Sequence, residues 1–199
     1  QNLTLDMINN DVKAEDIYDG KTWIHGKKHT DIKITIFLIS ISDPQLKYAV
    51  ESINKLNLTH SVLVNVIKDI SPTNKAYNEM RIRCQTKYFL QMDEDMELFP
   101  NSIEIIMNKK RDIVCSRHFF LNIFKLKDNY LGIGDEKFIY GIKLYNQEIM
   151  CHFPTHQNGT KSVSAVDRLW HDSIIAHGYK IRNHTIIVGN HERNRTPFD

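Results

Sequence analysis

Tyr88-Phe-Leu-Gln-Met-Asp93-Glu-Asp95 is a short apolar run that ends directly in an acidic turn. Its length and composition are those of a buried strand. Two β-branched runs precede it, at residues 32–42 and 61–67, and each is followed by apolar residues at helical spacing. This β-α-β-α-β order predicts a single α/β domain, with a mostly parallel central sheet and flanking helices.

The acidic turn lies where chemistry is expected in such a fold. Ligands of parallel sheets bind at the carboxyl ends of the strands, and Asp93, Glu94 and Asp95 follow such an end. Two carboxylates spaced i and i+2 can converge on one divalent cation, directly or through its water. Such a cation could bridge the oxygens of a bound diphosphate. An acidic surface turn is the alternative, because the D-x-D pattern is very short.

Composition limits the classes of protein to consider. With 199 residues, 41% hydrophobic and 25% charged, the chain can bury one core. Its net charge of +2 comes from interspersed acids and bases, which argues against a nucleic-acid partner. The longest apolar run, residues 32–41, is about half the length of a membrane span and contains Lys33. We therefore expect a soluble, cytoplasmic protein without a membrane span.

Hydrophobic patterning also predicts the division of the chain. Residues 1–31 show no sustained period and are expected to form an irregular N-terminal extension. Further segments are predicted as a helix from Pro100, a strand at 112–116, hairpins within 117–150, a polar loop at 152–164, a helix at 167–177 and a strand at 179–188. The domain would span residues 32–192, with a nucleotide-binding half at 32–116, an acceptor half at 117–192 and a tail at 193–199.

Two segments resemble glycosyltransferases of the GT-A type, in particular family 2. Lys75-Ala-Tyr-Asn78, followed by Lys87-Tyr-Phe-Leu-Gln-Met-Asp93-Glu-Asp95, is similar to the family's helix that leads into a strand and D-x-D. Asp167-Arg-Leu-Trp-His-Asp-Ser-Ile-Ile-Ala-His-Gly178-Tyr-Lys-Ile181 resembles its acidic residue, helix and Gly-Tyr-Lys-Ile ending. The resemblance covers residues 32–192. It implies inverting transfer from a nucleotide-diphosphate sugar, with a UDP-sugar as the commonest donor, to a glycan or other hydroxyl acceptor.

The resemblance also implies a catalytic base. Asp167 stands where the family has the Asp of a Glu-Asp motif, which takes the acceptor proton in inverting members. Val166 replaces the usual Glu, and Asp172 lies further along the same helix as a rival. The alternative for Asp167 is a helix N-terminal residue favoured by the dipole.

A metal site is implied as well. The family often has a metal-binding His beyond the last strand, and His191 stands there, so the implied metal ligands are Asp93, Asp95 and His191. Imidazole suits manganese better than magnesium or calcium, so Mn²⁺ is expected before Mg²⁺. A surface histidine in a polar tail is the alternative for His191.

Nucleotide contacts are implied at the strand ends and on the helix that follows the second strand. The residues are Ile39, Ser40, Ser42, Asp69, Lys75, Asn78, Arg81, Asp93 and Glu94. Asp69 can accept from the base or ribose, while Lys75 or Arg81 can face diphosphate oxygens. The alternatives are a turn residue for Asp69 and a solvated helix charge for Lys75.

Two other functions fit the same sequence pattern. A sugar-phosphate nucleotidyltransferase also uses an α/β sheet with acidic metal ligands, but it usually has a Gly-rich basic loop after its first strand. Ser40-Ile-Ser-Asp-Pro44 is neither Gly-rich nor basic. A non-catalytic carbohydrate-binding module with the same fold is the other alternative, and the set of Asp93, Asp95, Asp167 and His191 argues against it.

Overall fold

The structure is a computed structural model, and it describes residues 7–27, 32–41, 44–108, 117–128, 137–155 and 163–192. The strands are β1 Thr22–His25, β2 Ile34–Ser40, β3 Val62–Lys68, β4 Tyr88–Asp93, β5 Met96–Leu98, β6 Phe119–Asp128, β7 Lys137–Asn146 and β8 Lys180–His191. The helices are α1 Leu46–Asn54, α2 Thr73–Arg83, α3 Ser102–Asn108, α4 Gln147–Met150 and α5 Val163–Ile175. A 3-10 turn covers Ala14–Asp16.

The strands form one sheet in the order β1-β3-β2-β4-β7-β6-β8-β5. Pairing is parallel for β2 with β3, β2 with β4 and β6 with β8, and it is antiparallel elsewhere. The single α/β domain is therefore confirmed, but its sheet is mixed rather than mostly parallel. Antiparallel pairing follows from the β6–β7 hairpin, because strands that are adjacent in sequence and space run in opposite directions.

The expectation of an irregular segment up to residue 31 is wrong for β1. This strand pairs antiparallel with β3 and extends the sheet at its edge. Trp23 and Ile24 are buried, and so are Val12 and Ile17 before them. A four-residue strand is too short to show a period, and its burial comes from a partner some 40 residues later in the chain, so the pattern gave no signal.

Helices cover both faces of the sheet. Leu46, Val50 and Ile53 of α1 share a core cluster with Ile36 of β2, and Phe37 belongs to the cluster on the other face with Tyr77 of α2. Burial on both faces explains why β2 is a continuous apolar run instead of an alternating one.

Most predicted elements that lie in the described residues are present. The predicted helix at 167–177 begins earlier, at Val163, and the last strand continues to His191. The predicted strand at 112–116 and the tail at 193–199 lie outside the described residues. No helix in the described part of the chain is long and apolar enough to span a membrane.

Candidate active site

The carboxyl ends of the three parallel strands meet at one edge of the sheet. The Asp69 amide, just after β3, donates to the Ser40 carbonyl at the end of β2, at 3.0 Å. Glu94 joins this edge to the end of β4, since its Oε2 accepts from Ser40 Oγ at 2.5 Å and from the Ile41 amide at 3.0 Å. The Glu94 carboxylate therefore holds the ends of β2 and β4 together.

Side chains on one face of β4 become more polar toward this edge. Phe89 is fully buried, Gln91 is the next residue on the same face, and Asp93 follows at the strand end. Lys143 lies opposite Gln91 on the antiparallel strand β7. The sheet thus places an amide, a carboxylate and an ammonium side by side above an aromatic core.

Asp93, Lys143 and Asp167 form what we call the lysine cluster. Lys143 Nζ makes an ion pair with Asp167 Oδ2, and the two side chains are 16% and 21% exposed. Asp167 Oδ1 is buried and has no hydrogen-bond partner among the described residues. Burial and the charge of Asp167 raise the pKa of the nearby Tyr77 hydroxyl well above its usual range. One oxygen of Asp167 is thus held by an ammonium, and the carboxylate also lies against the Tyr77 hydroxyl.

Asp93 is the member of the lysine cluster whose negative charge is unfavourable. Burial raises the pKa of its carboxyl from 3.8 to about 6; the Lys143 ammonium lowers this pKa, and the charges of Asp95 and Asp167 raise it. Gln91 Nε2 donates to Asp93 Oδ1 at 3.4 Å, which is a long hydrogen bond. Lys143 therefore offsets only part of the cost of the Asp93 charge, and a further cation nearby would be stabilising.

Asp95, Asp128 and His191 form a second group, the histidine cluster. His191 Nε2 lies 3.0 Å from Asp95 Oδ2, and His191 Nδ1 lies 3.1 Å from Asp128 Oδ1. The backbone fixes this arrangement, because His191 pairs with Asp128 on β6 and with Met96 on β5. Asp95 Oδ1 is buried without a hydrogen-bond partner in the described residues.

The predicted metal ligands are only partly brought together. Within the described ranges, no three His, Cys, Asp or Glu side chains form a ready metal-binding group. Asp95 and His191 are in contact, and their third neighbour is Asp128, which the sequence did not single out. Carboxylate and imidazole ligands, with one carboxylate oxygen that has no hydrogen-bond partner in the described part of the chain, make a donor set that fits Mn²⁺.

Comparison with known proteins gives a fold. No family model matches the chain, and no curated protein matches it in sequence. Among solved structures, S. aureus TarS 1-349 in complex with UDP-GlcNAc superposes with a TM-score of 0.59 at 12% identity, covering 83% of this chain and 60% of that one. The chain has the GT-A fold. It spans about three fifths of the TarS chain it matches.

Two further structures with this GT-A-like fold bind nucleotides. The mannosyltransferase PcManGT from Pyrobaculum calidifontis, in complex with GDP-Man and Mn²⁺, has a TM-score of 0.57 at 9% identity, covering 81% of this chain and 57% of that one. CMP:2-keto-3-deoxy-manno-octonic acid synthetase complexed with CTP has a TM-score of 0.52 at 10% identity, covering 79% of this chain and 91% of that one. At these identities the matches establish the fold.

In this GT-A fold, α2 presents the other predicted nucleotide residues. Lys75 is exposed in its first turn. Asn78 binds Thr155 with both side-chain atoms, Nδ2 to the carbonyl at 3.1 Å and Oδ1 from the amide at 2.9 Å. Arg81 Nη1 donates to the Cys151 carbonyl at 3.0 Å. In the structure, Asn78 and Arg81 tether residues 151–155 to α2, so their predicted contact with a nucleotide stays a prediction.

The remaining predicted residues differ in how they are placed. Ile39 is half-buried beside Asp93 in the β2–β4 pairing, and Ser42 lies outside the described residues. Asp172, the rival base, is 60% exposed and lies 3.7 Å from Arg168 on the outer side of α5. Asp167 is thus the carboxylate of α5 that reaches the strand ends.

Sequence reasoning missed Lys143 and Asp128. Lys143 stands between Ile142 and Leu144, where the alternation of a half-buried strand predicts a solvent-facing side chain, so nothing local shows that its face is covered. Asp128 gives no local signal either, since an acid that ends a strand before a loop is common.

Proposed function

We propose that this chain is a metal-dependent, inverting glycosyltransferase, which moves a sugar from a UDP-sugar to a glycan or other hydroxyl acceptor. One observation carries the proposal. Asp167 reaches from α5 to the strand ends that hold Asp93 and Asp95, and its Oδ2 is fixed by Lys143 while Oδ1 is unpartnered among the described residues. A carboxylate held in one orientation at a GT-A ligand edge is what a general base requires.

The transfer would use Asp167 as the base. Its carboxylate accepts the proton of the acceptor hydroxyl as the hydroxyl oxygen forms a bond to the anomeric carbon of the donor. The bond from that carbon to the diphosphate breaks, and the nucleoside diphosphate leaves with the electron pair. Attack from the face opposite the leaving group inverts the anomeric configuration. The Lys143 ammonium keeps Asp167 oriented for this proton transfer.

The histidine cluster and Asp93 would hold a divalent cation. Asp95 and His191 supply a carboxylate and an imidazole. Asp93 interacts electrostatically with Asp95, and its negative charge would favour a bound cation. A bound Mn²⁺ would supply Lewis-acid stabilisation of the departing diphosphate. PcManGT, which has the same fold, was solved with GDP-Man and Mn²⁺, and this supports a divalent cation in general.

The test is a panel of nucleotide sugars, each with Mn²⁺ or with EDTA, followed by thermal unfolding and donor hydrolysis. A ligand that binds only the folded state raises its apparent stability. We expect Mn²⁺-dependent stabilisation and hydrolysis with one UDP-sugar, and we expect both to be lost in an Asp93→Ala, Asp95→Ala double variant. The matched control is Asp11→Ala, Asp16→Ala, which removes two exposed carboxylates and should behave as wild type.

The result that contradicts the proposal is equally definite. If no nucleotide sugar stabilises the protein with any metal, the glycosyltransferase assignment fails, and a non-catalytic module becomes the better description. If a sugar nucleotide binds but is never turned over with any acceptor, the proposed donor site is supported and the proposed transfer reaction is contradicted.

A nucleotidyltransferase is the second candidate, and one observation favours it. The match to CMP:2-keto-3-deoxy-manno-octonic acid synthetase covers 91% of that chain, so the shared fold includes nearly all of it. The absence of a Gly-rich basic sequence after β2 argues against it. Incubation with CTP or UTP and a sugar panel separates the two, since this reaction releases pyrophosphate, whereas glycosyl transfer releases a nucleoside diphosphate.

A further inference from the structure

The Tyr77 side chain connects α2 to α5. Tyr77 is 4% exposed, and its ring stacks on that of Trp170 with the centroids 5.7 Å apart and an interplanar angle of 16°. Trp170 is itself fixed, since its Nε1 donates to the Phe153 carbonyl at 2.7 Å. The indole therefore sets where the phenol ring of Tyr77 lies.

The position of this ring brings its hydroxyl to the candidate base. Trp170 follows Asp167 by three residues on α5, so the two side chains share one face of that helix. The Tyr77 hydroxyl is hydrogen-bonded to the Asp167 side chain and also to that of Gln91 on β4. Tyr77 thus joins the carboxylate of α5 to the strand that ends in Asp93.

The phenol is the donor in its contact with Asp167. Burial and the charges of Asp167 and Asp93 raise the pKa of the Tyr77 hydroxyl well above its usual range, so the phenol keeps its proton. Asp167 is ion-paired with Lys143, and an ionised carboxylate can only accept hydrogen bonds. The proton of the Tyr77 hydroxyl is therefore directed at the Asp167 carboxylate.

Two donors from different elements then hold Asp167. The Lys143 ammonium approaches from β7 and the Tyr77 hydroxyl from α2. A carboxylate can accept about four hydrogen bonds, so two donors leave room for the hydroxyl of an acceptor. One donor would let the carboxylate turn about its single contact, whereas two fix its plane. The orientation matters because proton transfer requires the base within hydrogen-bond reach of the proton.

We infer that Tyr77 is a positioning residue, whose hydroxyl orients the Asp167 carboxylate for proton transfer. Its role in proton transfer rests on the proposed function, while the contact between the two side chains is a property of the chain without ligands. Tyr77 stands between Lys75 and Asn78, in a segment whose neighbouring residues are expected to contact the nucleotide. The same turn of α2 would then serve both the donor and the base.

The first measurement is the steady-state kinetics of Tyr77→Phe, which keeps the ring on Trp170 and removes only the hydroxyl. We expect kcat to fall by about three- to tenfold, the effect of losing one neutral hydrogen bond, with the KM for donor and for acceptor unchanged. Tyr88→Phe is the matched control, because Tyr88 is also 4% exposed but lies at the other end of β4, and it should keep the wild-type kcat. A folded Tyr77→Phe protein with the wild-type kcat overturns the inference, and so does one in which only a KM changes.

The second measurement needs no turnover. Tyr77→Phe is made in the wild type and in an Asp167→Ala background, and urea unfolding is followed for all four proteins. Residues in contact have coupled effects, so the midpoint should fall in the wild type and fall by less in the Asp167→Ala background. Equal shifts in both backgrounds contradict the contact. If the wild type turns over no nucleotide sugar, the proposed function fails and the role in proton transfer fails with it, while the unfolding cycle still decides whether Tyr77 holds Asp167.

Discussion

His171 and His191 are equally buried, at 9% and 8% exposure, but their surroundings are opposite. His171 lies behind the lysine cluster on α5, where its Nε2 is 3.0 Å from the Tyr145 hydroxyl and its ring packs edge-on against Phe120. Burial lowers the pKa of His171 from 6.5 to about 4. His191 instead faces one carboxylate at each ring nitrogen.

The two histidines show that the neighbouring polar groups, and not the depth of burial, decide what a buried histidine does. A neutral ring bonded to a hydroxyl supports the helix that carries Asp167. A ring between two carboxylates lies in a negative environment, which suits a positive charge. Each cluster also has a carboxylate oxygen without a hydrogen-bond partner among the described residues, on Asp167 and on Asp95. The first suits a proton donor and the second a metal ion.

The largest expected effect separates the two clusters by function. Asp167→Asn keeps the shape of the side chain but removes the base, so transfer should fall by about a thousandfold. Donor binding should persist, because the histidine cluster is unchanged. The measurement is kcat together with thermal stabilisation by donor and Mn²⁺. Asp172→Asn on the same helix is the control and should retain activity; if it loses as much, Asp172 is the base instead.

The next effect concerns the neutral histidine. The unfolded chain binds a proton at His171 below about pH 6.5 and the folded chain only near pH 4, so stability is full above 6.5 and falls as pH drops toward 4. This contribution is roughly 3 kcal/mol over that range. His171→Gln, which keeps an acceptor for Tyr145, should remove it. Urea unfolding at pH 7.5 and 4.5 measures the difference, and equal pH slopes in both proteins would contradict it.

Removing the Lys143 ammonium from the lysine cluster should lower the free energy of unfolding by somewhat less. Lys143→Met leaves Asp167 partly buried without its ion-pair partner, and we expect a loss of roughly 2 kcal/mol in the free energy of unfolding. The kcat should fall, with little change in the KM for donor. Lys143→Arg preserves the charge and should recover most of both. Should the methionine variant match wild type in kcat, Lys143 has no role in holding the base.

The smallest effect has the opposite sign. Asp93→Asn removes a carboxyl whose pKa is raised to about 6, so its charge destabilises the metal-free fold above that pH. The variant should be more stable at pH 7 by roughly 1–2 kcal/mol, about half the full shift because Asp93 is only half-buried. The gain should vanish at pH 4. A loss of stability at pH 7 would mean that Lys143 satisfies Asp93 as well as Asp167.

Much of the fold could be predicted because its signals are local. The runs that became β2, β3 and β4 and the spacing in α1 and α2 predict elements that the structure contains. β1 could not be predicted, since its burial depends on pairing with β3. Of the predicted site residues, Asp167 and Asp95 reach the strand ends and each has an oxygen without a hydrogen-bond partner within the described ranges, while Asn78 is bonded to Thr155.

The sequence by itself determined the α/β order of elements, the position of the acidic turn after a buried strand, and the candidacy of Asp167 and His191, because periodicity and residue chemistry act over a few neighbouring positions. Only the tertiary structure decided the partners. Lys143 meets Asp167 from 24 residues away, and Asp128 meets His191 from 63 residues away. Such contacts depend on strand register, which long-range pairing sets and no local pattern encodes.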